Sequence, residues 1–181
     1  EGMVVARALA VNGEPLNDNG ALDIDIFAAL SIGLRRTFEH DPRFGLSVLS
    51  EIASRALSPA VNDPGTAIDI IGRGIRCLTC WGKLHPVAQS TDNECAQVYV
   101  RALVADDLFD DFFAPISRDG AALHEVNLRL IKALVSLAHI NPHAFRPACS
   151  RHAARLLAHA GSGLVLQQDK DELRALAAEL I

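Results

Sequence analysis

The chain has 181 residues, of which half are hydrophobic, and its net charge is −5. This length suits one well-cored domain or two small ones, and no lysine- and arginine-rich block provides the footprint of a nucleic-acid-binding protein. The four cysteines do not match the disulfide framework of a small secreted protein, so they favour a reducing compartment. No apolar run reaches the ~18–20 residues that cross a bilayer, so the sequence taken alone predicts a soluble domain.

Alanine and leucine dominate the apolar residues, and only nine residues are aromatic. This mixture favours packed helices over a β-sandwich, whose strands prefer β-branched and aromatic residues. The predicted fold is mainly α: an antiparallel helical bundle of about six to seven helices. Residues 1–20 are predicted to be the trailing end of a preceding segment, for which β structure is an alternative, and 21–181 the helical domain.

Two similar apolar runs, Met3–Val11 and Val98–Ala105, fit either a helix or a strand. Each contains valine followed by Arg-Ala-Leu. As strands they would pair into a small two-stranded β ribbon, and as helices they would extend the bundle. The sequence leaves both alternatives open.

Three helices are predicted next, from Ile24 to before His40, from Pro42 to before Ser58, and from Pro64 to Trp81. The second and third begin with Asp-Pro, in which the aspartate caps the helix and the proline occupies its first position at no cost in hydrogen bonds. Ser58 precedes a proline and is therefore disfavoured in a helix. We expect an antiparallel meander of these three helices.

Four further helices are predicted in the second half of the chain. They cover 106–116, 123–139, 142 to about 160, and a last amphipathic helix capped by Asp169. The segment Gly161–Gly163 is expected to end the third of these helices.

The stretch around the two Asp-Pro starts resembles the signature of the bacterial family of predicted membrane proteins named domain of unknown function 2254. The resemblance rests on five short runs: Arg36-Thr37, Asp41–Gly45, Arg55–Pro59, Asn62–Pro64 and Thr66-Ala67. It implies that membrane-spanning helices precede the matching region. The chain would then be the soluble C-terminal part of a larger protein of the bacterial cytoplasmic membrane, facing the cytoplasm. The resemblance to this family does not imply a particular biochemical activity.

The same stretch holds the candidate binding residues. These are polar side chains at or near the two helix starts: Arg36, Asp41, Arg43, Arg55, Asn62, Asp63 and Thr66. One interpretation is structural, with each aspartate capping its helix and each arginine tying a neighbouring helix end. The alternative is a small-ligand or ion site at the Asn62-Asp63 corner. About sixteen helical residues separate the corners by ~24 Å, which argues against one joint site.

Other chemical clusters are incomplete. Cys77 and Cys80 form a CxxC motif inside a helix without a second pair, and His139 and His143 are separated by a helix break, so no metal and no cofactor is expected. The cysteines are predicted to be buried free thiols, while His152 is expected to be solvated. Nothing places a nucleophile beside a base, so no catalytic residue is predicted.

The acidic run at 106–111 fits either a helix N-terminus favoured by the helix dipole or a patch for a cation or partner.

The predicted function is a non-enzymatic regulatory or assembly domain; the alternative is a ligand or ion sensor at the Asn62-Asp63 corner. The expected partners are a second copy of the chain and its own membrane-spanning region, with no nucleic acid. Two segments are expected to supply the homodimer surface: Phe109, Phe112 and Phe113, and Leu173, Leu176, Leu180 and Ile181.

Overall fold

Six α-helices form most of the part of the chain that the computed structural model describes, residues 37–38, 41–84 and 103–181. They are α1 (Pro42–Ala56), α2 (Pro64–Leu84), α3 (Ala105–Asp119), α4 (His124–Ile140), α5 (Pro142–Gly163) and α6 (Gln167–Ala177). These ranges contain no strand. The prediction of a mainly α fold is therefore confirmed, whereas the antiparallel order of the bundle stays a prediction.

The helices contact one another in two layers. In one layer α3 lies between α1 and α5, and in the other α4 lies between α2 and α6. Contacts of α1 with α2, of α4 with α5 and of α5 with α6 join the layers. The central position of α3 is what brings residues from α1 and α5 to the same helix.

Aromatic side chains of α3 and α5 fill the centre of the core. Phe109, Phe112, Phe113 and Phe145 are fully buried, and neighbouring rings pack with centroids 5.0–5.2 Å apart. The expectation that the α3 phenylalanines form an exposed partner surface is therefore wrong. Because three large rings recur on one face of α3, the helix buries that face instead of offering it.

Two glycines of α2 make room for these rings. A Cβ atom at Gly74 would collide with the ring of Phe112, and one at Gly82 would lie 2.6 Å from the ring of Phe145. Trp81 stacks on the same Phe145 ring at 5.7 Å. The two glycines weaken helix α2, but they allow its backbone to lie close to the aromatic core.

Both Asp-Pro helix starts are confirmed. The Asp41 carboxylate accepts a hydrogen bond of 2.9 Å from the Phe44 N–H, and the Asp63 carboxylate accepts one of 3.0 Å from the Thr66 N–H. Each aspartate thereby satisfies a donor that the first turn of its helix leaves unpaired.

Two predicted boundaries in the second half are wrong. Helix α5 continues through Gly163, because that glycine packs against the backbone of Ala121 instead of turning the chain. Helix α6 begins at Gln167 after an extended Leu166, so Asp169 does not cap it and instead faces His124.

Several predictions fall outside the described residues. They include the segment 1–20, the helix from Ile24 and the strand alternative for Met3–Val11. In the run Val98–Ala105, only the last three residues are described: Leu103 and Val104 have no regular structure and Ala105 begins α3. The β ribbon therefore stays a prediction.

Candidate functional site at the acidic turns of α3

The first turns of α3 carry four carboxylates at 106, 107, 110 and 111, which would repel one another at i,i+4 spacing. The structure divides them between two arginines from different helices. Arg43 of α1 binds Asp107 and Asp111, while Arg151 of α5 binds Asp106 and Asp110. The acidic run is therefore the point at which α1 and α5 are both attached to α3.

The contact of Arg43 with Asp111 is bidentate. Nε donates to one carboxylate oxygen at 2.6 Å, Nη2 donates to the other at 3.1 Å, and Nη1 reaches Asp107 at 3.1 Å. The hydrogen bond to Asp111 raises the pKa of the Arg43 guanidinium above its ordinary value, against the opposing effect of burial. Planar two-point binding of this kind fixes both distance and orientation between the helices.

Arg151 makes the matching contact from the other side. Its two terminal nitrogens donate to Asp110 at 3.0 Å and to Asp106 at 2.8 Å. Partial burial lowers the pKa of Arg151, but the two hydrogen bonds outweigh that effect, so the net shift is upward. Unlike Arg43, this arginine joins two separate carboxylates one helical turn apart, which neutralises the repulsion between them.

His152 is buried beside this cluster, contrary to the expectation that it is solvated. Its side chain is 2% exposed and lies between the rings of Phe109 and Phe113, each 6.0 Å away. Its Nε2 lies 3.1 Å from an Asp110 oxygen but without hydrogen-bond alignment. Burial, assisted by the charge of Arg151, lowers the pKa of His152 to about 4, so the ring is neutral at pH 7.

An open cleft of about 390 Å³ lies between α1 and α3, next to the Arg43 contact. Seven of the eight residues that line it have polar side chains: Ser47, Ser50, Glu51, Ser54, Asp110, Asp111 and Arg118, with Pro115 as the eighth. The Ser50 hydroxyl donates to the Phe112 carbonyl at 3.0 Å and so ties the cleft floor to the core. Arg118 hydrogen-bonds Asp119, and this bond lowers the pKa of the Asp119 carboxyl group.

The predicted Asn62-Asp63 corner is a compact turn at the start of α2. Both Asp63 oxygens are occupied, by the Thr66 N–H at 3.0 Å and by the Thr66 hydroxyl at 2.5 Å, and these bonds lower the pKa of Asp63. Asn62 adopts a positive φ of 49°, and its N–H donates to the Ser58 carbonyl at 2.9 Å. A ligand would have to displace these bonds, so binding at the corner stays a prediction.

The candidate residues do not form one site. Asp41 and Asp63 lie at the starts of α1 and α2 with the 15 residues of α1 between them, a span of ~22 Å. Arg43 faces α3, whereas Arg55 is exposed and no described carboxylate pairs with it. Arg36 lies outside the described residues.

The sequence did not lead us to place Arg151 and His152 at this site. The run of four aspartates was the signal that positively charged side chains had to lie nearby.

Cys77 and Cys80 are exposed, so the prediction that they are buried is wrong, whereas Cys149 is buried. The CxxC motif falls on the outer face of α2, whose inner face is filled by Ile70, Ile71 and Leu78. No cluster of three or more metal-ligating side chains occurs within 41–84 and 103–181.

The C-terminal segment is also largely in the core, which corrects the second predicted partner surface. Leu173 and Leu180 are buried, and only Ile181 of the four side chains is strongly exposed. His124 of α4 contacts Glu172 at 3.2 Å, and His139 contacts Glu179 at 2.6 Å. Histidines at both ends of α4 thus hold α6 and the residues after it.

A family model described as Predicted membrane protein (DUF2254) matches residues 1–136, three quarters of the chain. The chain belongs to this family. The resemblance seen in the sequence is thereby confirmed. The region that matches the DUF2254 model ends inside α4, so α5 and α6 lie beyond the matched region.

Two mycobacterial proteins are similar to a short part of this chain. Uncharacterized protein Rv1290c of Mycobacterium tuberculosis and Uncharacterized protein Mb1321c of Mycobacterium bovis are each 58% identical over 40 residues. That alignment covers 22% of this chain and 8% of each relative. No solved structure matches.

The description of the DUF2254 family as predicted membrane proteins bears on the helices of this structure. None of the helices α1 to α6 combines the length and apolar character needed to cross a bilayer.

Proposed function

We propose that this region is a non-enzymatic helical assembly domain of a bacterial membrane protein, and that it joins a second copy through the outer face of α1. One observation carries the proposal. Ile52 on α1 and Val61 in the turn after it are 43% and 54% exposed, although both are large apolar side chains. Among the described helices, only α2 and α3 pack extensively against α1, so none of the described helices covers its outer face.

The charges around Ile52 suit a two-fold arrangement. Glu51 and Arg55 are exposed, four residues apart, on the same outer face. If two α1 helices cross antiparallel near Ile52, Glu51 of each copy approaches Arg55 of the other. A two-fold interface uses the same patch twice, so one such contact supplies two ion pairs around an apolar centre.

The signature residues support a scaffold role. Asp41 and Asp63 cap helices, and Arg43 fixes α1 against α3, so their polar atoms serve the geometry of the domain. A rigid α1 presents its outer face in one orientation, which lowers the ordering cost of association.

The proposed surface is small, so the isolated region is expected to dimerise weakly. In the parent protein, anchoring in the cytoplasmic membrane would hold copies close together and raise their effective concentration. We place the domain on the cytoplasmic side as part of this proposal.

The test is the molar mass of the purified chain by light scattering across a micromolar concentration series. We expect a concentration-dependent shift toward twice the monomer mass, and Ile52→Asp should abolish it. Val165→Asp is the matched control, because Val165 is 93% exposed but lies in the loop between α5 and α6.

Charge reversal tests the orientation. Arg55→Glu alone should weaken the dimer, and Glu51→Arg combined with Arg55→Glu should restore it, because the two-fold pair is then merely inverted. A chain that stays monomeric at every concentration, or a dimer that Ile52→Asp leaves intact, would contradict the proposal.

A further inference from the structure

Two thiols stand side by side on the solvent face of α2. Cys77 and Cys80 are both exposed, and residues three apart on a helix are surface neighbours with Cβ atoms ~5–6 Å apart. A disulfide needs a Cβ separation of ~3.5–4.5 Å, so a small local adjustment of this helical turn brings the sulfurs into bonding range. Neither side chain belongs to the core, so the two sulfurs can meet on the outer face of α2.

Basic side chains lie on α2 before and after the two cysteines. Arg76 lies next to Cys77 and four residues before Cys80, and Lys83 follows one turn later. Arg129 of α4 also approaches α2, beside Gly72, which lies five residues before Cys77. Nη2 of Arg129 lies 3.2 Å, and Nη1 of Arg76 lies 3.8 Å, from the place where a Cβ of Gly72 would stand.

The two guanidinium nitrogens are therefore within about 7 Å of each other. No carboxylate of the described residues pairs with Arg76 or Arg129, whereas the neighbouring Arg73 is bound to Asp69 at 2.8 Å. Two like charges this close, with no carboxylate partner among the described residues, attract an anion, because its binding reduces their mutual repulsion. A carboxylate-bearing molecule is thus drawn to the turn of α2 that precedes the thiols, next to which Arg76 adjoins Cys77.

We propose that Cys77 and Cys80 form a reversible dithiol site that reacts with an anionic low-molecular-weight disulfide of the glutathione-disulfide type. One thiolate attacks a sulfur of that disulfide, forms a mixed disulfide and releases one thiolate. The second cysteine then attacks its neighbour's sulfur, forms the Cys77–Cys80 bond and releases the other thiolate. The protein loses two electrons and two protons, and the small disulfide is reduced to two thiols.

Trypsin isolates this site on one short peptide. Cleavage after Arg76 and after Lys83 releases residues 77–83, which contain both thiols and neither Cys95 nor Cys149. The full chain is incubated with glutathione disulfide, alkylated, digested and examined by mass spectrometry. We expect fragment 77–83 to lack two hydrogens and to carry no alkyl group.

Variants separate the steps. Cys80→Ser should stop at a glutathione adduct on Cys77 or show none, but it cannot give the fragment without two hydrogens. Arg76→Gln with Arg129→Gln should slow the reaction with glutathione disulfide at least about twofold at low salt, and leave the reaction with the neutral bis(2-hydroxyethyl) disulfide unchanged.

Two results would overturn the proposal. One is recovery of fragment 77–83 with both cysteines alkylated after exposure to the oxidant. The other is a disulfide that joins two chains through this fragment. Neither result depends on the dimer proposed above, so the two proposals fail independently.

Discussion

The guanidinium of Arg43 in α1 hydrogen-bonds both carboxylate oxygens of Asp111 in α3, with Nε and Nη2 donating at 2.6 and 3.1 Å. These residues are 68 positions apart in the chain. The contact locks the first turn of α1 against the second turn of α3, and Ser50 repeats the attachment further along at the Phe112 carbonyl. The family's signature stretch is thereby fixed to the aromatic core.

Replacing Arg43 by alanine should lower the free energy of unfolding by about 1–2 kcal/mol, because Asp107 and Asp111 then repel each other without a counter-charge. The Arg43 side chain is 39% exposed, so solvent screening keeps the loss moderate. Urea denaturation measures it. Arg73→Ala removes a fully surface pair with Asp69 and should cost less than about 0.5 kcal/mol; equal losses would contradict the role given to Arg43.

Because His152 is buried in its neutral form, we expect the free energy of unfolding to fall in acid. Its pKa is about 4 in the folded chain and 6.5 when unfolded, so between these values the unfolded chain binds the extra proton. The contribution is fully present above pH 6.5 and falls by roughly 3 kcal/mol as the pH drops toward 4. Unfolding curves from pH 7.5 to 4 should show this slope, His152→Leu should flatten it, and His159→Gln should not.

The Asp63 cap predicts a different pH window. Its pKa is lowered below the ordinary value of 3.8 by the bonds from Thr66, so its stabilising charge is present above that value. The advantage of the native chain over Asp63→Ala should therefore be constant near neutral pH and shrink as the pH falls below 3.8. Thermal melts of both chains at several pH values measure it, and an advantage that grows in acid would refute the capping role.

Two helical glycines should respond to alanine in opposite directions. At Gly74 the new methyl group collides with the buried Phe112 ring, so Gly74→Ala should cost about 1–3 kcal/mol. At Gly161 of α5 no atom lies within 4 Å of the new methyl group, so Gly161→Ala should stabilise the fold by about 0.5–1 kcal/mol. Thermal unfolding of the two variants provides the comparison, and a stabilising effect of Gly74→Ala would contradict the contact of Gly74 with the Phe112 ring.

Local signals correctly predicted the starts of α1 and α2. Asp41 and Asp63 each satisfy an N–H three residues away, so the sequence contains both partners of the interaction. The errors came where a distant residue decides. Gly163 extends α5 because Ala121 approaches its backbone, and Asp169 leaves the cap position to face His124.

The candidate site shows the same division. The four aspartates of α3 were visible as an unfavourable cluster, and Arg43 was among the candidate residues. Their pairing, and the second arginine at 151, depend on α3 lying between α1 and α5, which periodicity does not specify. The burial of His152 follows from that layer order as well, because flanking arginines made its position resemble a solvated surface.

The family match ends at residue 136, four residues before the end of α4. Helix α5, beyond that point, supplies Phe145 to the aromatic core and Arg151 to the acidic turns of α3. A polypeptide terminated at the match boundary would uncover the Phe109 and Phe113 rings and leave Asp106 and Asp110 uncompensated. The region recognisable by its amino-acid pattern is therefore shorter than the region that must be synthesised before this core can close.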